Sequence, residues 1–417
     1  MSTVADFIRA DIQALQAYHV ADAPSGCIKL DAMESPYHPF AHDAELLSEL
    51  AAELTQAPIN LYPNPASCGL QDILRQAFDI PASADIALGN GSDELIQFLT
   101  MLVAKAGAKM LALEPSFVMY KHNAALYEMD YIGVPLHDDF SLNLDNVLTV
   151  IRQQQPALIF VAYPNNPTGV CFAREEVQAI IDAAYGIVVI DEAYGAFSHD
   201  SFLSQAGSIE NLVVLRTLSK IGFAGLRIGY AAGSSVVMQE LAKIIPPYNM
   251  NQLSLAAAKL ALKHADVIDA TTNKLKAERE RMLAALSEID CLKVFPSQAN
   301  FLTVRTPDAA ELFDALKQMS ETWDKEWKIV SSGATNVIQV GFPQETLTHN
   351  FKYEGGDAGG GLTVIQKEVD TSNIVTRMLS AGSTKNVPYQ YFRQLSESEL
   401  AAGNVQDPNV APLFANG

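Results

Sequence analysis

Ser219, Lys220 and Arg227 fall in one short stretch, Arg216-Thr-Leu-Ser-Lys-Ile-Gly-Phe-Ala-Gly-Leu-Arg227. It follows Asn211-Leu-Val-Val-Leu215, an apolar run that reads as a short buried strand. An amine at such a strand-to-loop junction is a candidate for Schiff-base formation with a carbonyl. The hydroxyl beside it and the guanidinium further on are candidate phosphate ligands. The plain alternative is a surface lysine in a glycine-rich loop. Asp191 is a second candidate: it follows the apolar run Ile187-Val-Val-Ile190, so its carboxylate needs a cation or several donors once buried. A structural salt bridge would satisfy it as well. A third is Ser92-Asp93, after the doubled glycine of Gly89-Asn-Gly91, where a helix N-terminus would present free N–H groups to a phosphate. Serine or aspartate there could equally be a simple helix cap. Tyr62 stands in a rigid loop, Asn60-Leu-Tyr-Pro-Asn-Pro65, where an aromatic more often packs on a neighbour than does chemistry.

The elements that must hold these residues alternate. Lys109–Glu114, Ala157–Ala162 and Gly186–Ile190 are apolar runs that end in polar residues, with helical segments between them. That pattern predicts parallel strands covered on both faces, with ligands bound at their carboxyl ends. Helical spacing is expected at residues 4–19, Glu45–Glu53, Ala309–Met319 and over a long run from Ala256 to Leu286. Strands are expected at Ile28–Pro36 and Val294–Val304.

Composition limits the function classes. The chain has 417 residues, 49% of them hydrophobic and 18% charged, which suits two or three domains with a large core. A net charge of −20 argues against nucleic-acid binding, and an anionic substrate must be captured by local groups against that field. No apolar run reaches membrane-spanning length, and the N-terminus lacks a signal-peptide layout. Cys27, Cys68, Cys171 and Cys291 are scattered without metal-site or disulfide spacing. The expectation is a reduced, cytoplasmic protein that binds no metal, nucleic acid or membrane.

In order along the chain, Lys29-Leu-Asp-Ala-Met-Glu-Ser-Pro36, Leu61-Tyr-Pro63, Gly89–Glu94, Glu114-Pro-Ser-Phe-Val-Met-Tyr120, Pro164-Asn-Asn-Pro-Thr-Gly169, Val189-Ile-Asp-Glu-Ala-Tyr194 and the lysine loop form a set. Together they resemble the pyridoxal-phosphate (PLP) aminotransferases of the aspartate aminotransferase fold, class I and II. Within these they are most similar to the histidinol-phosphate branch. The likeness runs over roughly residues 5–318.

The resemblance implies fold type I, an α/β architecture. A large domain with a mostly parallel sheet is covered by helices, beside a smaller α+β domain. The expected boundaries are 1–60 for an N-terminal arm and part of the small domain, 61–275 for the PLP-binding domain, 276–345 for the small domain, and 346–417 for a tail matching nothing in the family. It also implies residue roles. Lys220 would bind the cofactor and move protons, both as the neutral amine, and Asp191 would keep the ring nitrogen protonated. Tyr194 and Asn166 would hydrogen-bond the phenolic oxygen, and Phe117 would stack on the ring. Ser92, Asp93, Ser219 and Arg227 would hold the phosphate, and Tyr62 would reach the phosphate of a neighbouring subunit, making the protein a homodimer.

The implied reaction moves an amino group between histidinol phosphate and glutamate or 2-oxoglutarate in histidine biosynthesis. The alternatives are an aromatic aminotransferase, a threonine-phosphate decarboxylase, or a PLP-binding protein with little or no turnover.

Two departures stand out. Ser35 replaces a usual asparagine. Aligned on Val340-Gly341, Val337 takes the place of a small-domain arginine that grips substrate anions, and an aliphatic side chain supplies no such clamp. Residues 346–417, with Gly355-Gly-Asp-Ala-Gly-Gly-Gly361, read as linker-like, either a diverged or spliced end or an added segment. The absence of an amphipathic period favours the former.

Overall fold

The computed structural model describes residues 3–14, 32–41, 43–63, 69–307 and 309, and the strands at 327–332, 335–340, 348–354 and 361–368. The chain divides into two compact units. One comprises Met1–Ala21, Tyr37–Lys274 and Ser297–Ala299; the other comprises Asp22–Pro36, Leu275–Pro296 and Asn300–Gly417.

The first unit is built on a seven-stranded sheet. Its strands are β1 (Asp85–Asn90), β2 (Lys109–Glu114), β3 (Asp130–Pro135), β4 (Leu158–Ala162), β5 (Ile187–Asp191), β6 (Leu212–Thr217) and β7 (Ile228–Gly233), in the order β1-β7-β6-β5-β4-β2-β3. Strands β3, β2, β4, β5 and β6 run parallel, and β7 lies antiparallel between β6 and β1. The mostly parallel sheet expected from the sequence is present. Every residue of β4 is buried, as a strand covered on both faces requires.

Successive residues of a strand face opposite sides, so the sheet has two cores. On one side Met110, Phe160, Val189, Val213 and Leu215 pack with residues of α4 (Ser92–Val103), α5 (Val118–Leu126) and α8 (Ser235–Ala242). On the other, Leu111, Ile159, Val188, Ile190 and Val214 pack with residues of α3 (Leu70–Ala77), α6 (Leu144–Gln154), α7 (Arg174–Ala183) and α9 (Gln252–Lys263). The helix α2 (Ala44–Gln56) is capped by Asp43, which accepts from the N–H groups of Glu45 and Leu46.

The second unit contains a four-stranded antiparallel sheet, β10 (Trp327–Ser332), β11 (Thr335–Val340), β9 (Leu302–Arg305) and β8 (Lys293–Val294), and a hairpin of β12 (Thr348–Glu354) with β13 (Gly361–Glu368).

Several local expectations change. Residues 4–14 do not form one helix: Val4–Phe7 is a 3-10 turn and Ala10–Ala14 is the short helix α1, while residues 15–19 lie outside the described residues. The long run to Leu286 breaks at His264 into α9 and α10 (Ala265–Ser287). Ala32–Pro36 is not a strand, and residues 28–31 lie outside the described part. The strand expected at Val294–Val304 is instead β8 and β9 flanking a loop. Pro296 ends the ladder, and the Ser297 hydroxyl turns back to accept from the Ala299 N–H at 3.1 Å. In the region expected to be linker-like, β12 pairs with β13, and residues 355–360 between them lie outside the described residues. Of the helix expected at Ala309–Met319 only residue 309 is described.

Candidate active site

The parallel strands release their chains at one edge of the sheet, and the predicted residues gather there. Ser92, Asp93, Phe117, Asn166, Asp191, Tyr194, Ser219, Lys220 and Arg227 all line one cleft of about 580 Å³, measured with its open mouth. Tyr120, Ala162, Pro164, Ala193 and Thr217 line it as well and were not expected from the sequence. Tyr62 does not line it. That side chain is 80% exposed and its ring stacks on Tyr248 with centroids 4.8 Å apart.

One end of the cleft suits an anion. Helix α4 begins at Ser92 with Gly91 as its N-cap, at φ 82°, and no side chain caps it. Ser92 and Asp93 are therefore first-turn residues, not caps, and the first-turn N–H groups have no side-chain cap. Gly91 is required twice over. Its φ is left-handed, and a Cβ there would lie 2.5 Å from Arg227 Nη2. Arg227 is itself held at φ 53°, a conformation that non-glycine residues seldom adopt, directly before β7. Its guanidinium donates to the Asn90 carbonyl at 3.3 Å and pairs with Asp93 at 3.5 Å, both ions about half exposed. Thr217 Oγ1, also lining the cleft, is 2.9 Å from Ser219 Oγ and accepts from the Ser219 N–H at 3.1 Å.

The floor carries the carboxylate. Asp191 ends β5 and is 5% exposed. One oxygen accepts from the Tyr120 hydroxyl at 2.7 Å and the other from the Ala193 N–H at 3.0 Å. No ion pair to Asp191 occurs among the described residues; its neighbour Glu192 takes the salt bridge instead, receiving Arg216 Nε and Nη2 at 2.9 and 2.7 Å. Burial pushes the Asp191 carboxyl up to about 6. The two donors pull it down, and the nearby charges of Asp93 and Glu192 add to the rise. A buried acid served only by neutral donors suits a cationic ring N–H.

Lys220 sits in the 3-10 turn Ser219–Ile221, immediately after β6, with Nζ 5.5 Å from the centre of the Tyr194 ring. Burial, then the charges of Asp191 and Asp93, raise the Tyr194 phenol well above its ordinary value, so it remains a neutral donor. Asn166 reaches the cleft from the Pro164–Gly169 loop. There Gly169 N–H donates to the Asn165 carbonyl at 2.7 Å, and the Asn165 amide binds the Pro115 carbonyl and Thr168. Phe117 caps α5 and meets the Tyr120 ring edge-on.

An amine, a buried carboxylate and an anion-binding helix end in one cleft fit an aldehyde, a ring nitrogen and a phosphate on one ligand. Val337 lies in β11, paired with Thr303 of β9. Of the basic residues that could stand in for the missing arginine, Lys328 lies in β10 opposite Gln339, and Lys325, Arg377 and Arg393 lie outside the described residues.

The profile of the aminotransferase class I and II family matches residues 27–344. The chain is 67% identical over 318 residues to a histidinol-phosphate aminotransferase of Neisseria meningitidis serogroup C, covering 76% of this chain and 87% of that protein. It is 55% identical over 315 residues to the histidinol-phosphate aminotransferase of Chromobacterium violaceum, with the same coverage. Among solved structures, histidinol-phosphate aminotransferase from Sinorhizobium meliloti in complex with pyridoxal-5'-phosphate superposes with a TM-score of 0.66. It is 22% identical and covers 80% of this chain and 92% of that one, a likeness of fold.

Proposed function

The chain belongs to the class I and II aminotransferase family, and on that premise we propose that it moves an amino group between L-histidinol phosphate and 2-oxoglutarate in histidine biosynthesis. The cofactor is pyridoxal 5'-phosphate. One observation carries the site assignment: the Lys220 amine, the Asp191 carboxylate and the uncapped start of α4 open into a single cleft.

Bound there, pyridoxal phosphate supplies an electron sink for the pair left when a substrate Cα–H bond breaks. The residues do the rest. Lys220 Nζ holds the cofactor at rest and then carries the proton taken from substrate Cα. Asp191 holds a proton on the ring nitrogen through its carboxylate. Tyr194 and Asn166 orient the ring by hydrogen bonds to its phenolic oxygen, and Phe117 covers one face. The N–H groups of Ser92 and Asp93, the Ser219 hydroxyl and the Arg227 guanidinium bind the phosphate. Phosphate binding gives Arg227 a stronger partner than the half-exposed Asp93.

The exposed Tyr62 is assigned to the phosphate site of a second subunit in a homodimer, and the protein to the cytoplasm. No described helix is long and apolar enough to cross a membrane. Residues 61–275 are assigned as the cofactor-binding domain, 276–345 with part of 1–60 as the small domain, and 346–417 as a tail atypical for the family.

A half-reaction titration tests the substrate. Loaded protein is mixed with histidinol phosphate, glutamate, tyrosine or phenylalanine, and conversion of the cofactor to its amine form is followed by absorbance. Conversion by histidinol phosphate and by glutamate supports the proposal. Preference for tyrosine or phenylalanine points to an aromatic aminotransferase, and carbon dioxide release from threonine phosphate to a decarboxylase. Loading without conversion by any donor leaves a binding protein.

A further inference from the structure

Tyr120 has no part in the roles assigned above, yet its hydroxyl donates directly to the Asp191 carboxylate. It is fully buried in α5, its hydroxyl lies 2.7 Å from Asp191 Oδ2, and it lines the same cleft. Its ring is fixed from two sides. It stacks on Phe160 of β4 with centroids 4.4 Å apart and planes 7° apart, and Phe117 meets it edge-on at 5.7 Å. A phenol locked this way has little rotational freedom and presents its O–H to one carboxylate oxygen, while the Ala193 N–H takes the other.

We propose that Tyr120 is a positioning residue: its hydroxyl fixes the orientation and proton affinity of Asp191 and so keeps the shared proton on the cofactor's ring nitrogen. The inference rests on the cofactor assignment above. A donor to a carboxylate makes it a weaker base. Without the Tyr120 donor, Asp191 would compete better for the proton it shares with the ring, and the electron sink would weaken.

The other groups around Asp191 cannot supply this. Asp93 and Glu192 are anionic and push the other way; Arg216 is engaged by Glu192; the Ala193 N–H is already spent on the other carboxylate oxygen. Burial keeps the Tyr120 phenol protonated far above the working range, so its donor is permanent.

The test uses two Tyr120 variants in the full chain. Tyr120→Phe keeps the stacked ring and deletes the donor. Difluorotyrosine at position 120 keeps the shape and makes a stronger donor. Ring-nitrogen protonation is read by 15N NMR of labelled cofactor in the loaded protein. The Asp191 carboxyl is read by 13C NMR of the cofactor-free protein.

The expected result is opposite signs. Tyr120→Phe should raise the Asp191 midpoint above about 6, move the 15N signal toward neutral pyridine and lower kcat about tenfold with KM within twofold. Difluorotyrosine should lower the midpoint. Equal midpoints in all three proteins, or an unchanged 15N signal in Tyr120→Phe, would overturn the inference while leaving the cofactor assignment intact. If the wild-type protein takes up no cofactor, the proposed function falls and this role falls with it. If Tyr120→Phe does not fold, the difluorotyrosine protein alone decides by the sign of its shift.

Discussion

Asp191 and Glu192 are adjacent carboxylates at the end of one strand, and both are buried, yet the fold treats them differently. Glu192 follows Ile190 to the side of α7 and α9, where Arg216, the Ser201 hydroxyl and the Phe202 N–H occupy its oxygens. Asp191 follows Val189 to the other side, where two neutral donors and an open cleft meet it. An acid with a full set of partners holds structure together. One that lacks a cation is set for a ligand that brings one.

The largest effect should come at the lysine that lines the same cleft as Asp191. Lys220→Ala should lose at least about 10³-fold in turnover, the range of a deleted proton carrier. Steady-state rates in cofactor-loaded protein check this, and a variant within tenfold of wild type would remove the amine from the chemistry.

Breaking the structural acid should cost stability instead. Glu192→Gln leaves the Arg216 guanidinium buried beside a neutral amide and should destabilise by about 3–5 kcal/mol. Urea unfolding measures it, and a loss under about 1 kcal/mol would erase the contrast between the two acids.

Asp191→Asn should do the reverse in cofactor-free protein. The folded-state carboxyl is raised from 3.8 to about 6, so the folded state holds the proton more tightly than the unfolded chain. Stability is therefore highest below pH 3.8 as far as this group is concerned, and falls as pH rises through about 6. The penalty at pH 8 is roughly up to 3 kcal/mol. Asp191→Asn should remove that slope and be more stable than wild type at pH 8, while binding cofactor less well. Parallel stability curves from pH 5 to 8 would contradict it.

The smallest effect belongs to Tyr62, which touches only Tyr248 in the described ring contacts. Tyr62→Phe should weaken cofactor binding by roughly the 1 kcal/mol of one hydrogen bond, and only in protein that sediments as a dimer. Equilibrium dialysis against cofactor checks it.

Much of this was legible in the sequence for a physical reason. Parallel strands buried on both faces leave an apolar run, so a charged residue closing such a run, as Asp191 does, or in the loop just after one, as Lys220 is, is conspicuous. Tyr120 was not legible: an aromatic three residues after Phe117 has the spacing of an ordinary core position. The fold stacks its ring on Phe160 of β4 and brings its hydroxyl to Asp191 at the end of the neighbouring strand.

Ala162 and Thr217 line the cleft as the last residues of β4 and β6, positions set by register rather than residue type. The strand expected at Val294–Val304 failed because alternation continues through Pro296, where the backbone turns and Gln298 instead accepts from the Ser198 hydroxyl and the His199 N–H.

The most direct test is chemical. Protein incubated with pyridoxal phosphate is reduced with borohydride, digested, and searched by mass spectrometry for the lysine that carries the reduced cofactor. The account predicts one modified peptide, with the label on Lys220, and far less label in Asp191→Asn under limiting cofactor. Stoichiometric label on another lysine, or none on Lys220, would contradict it.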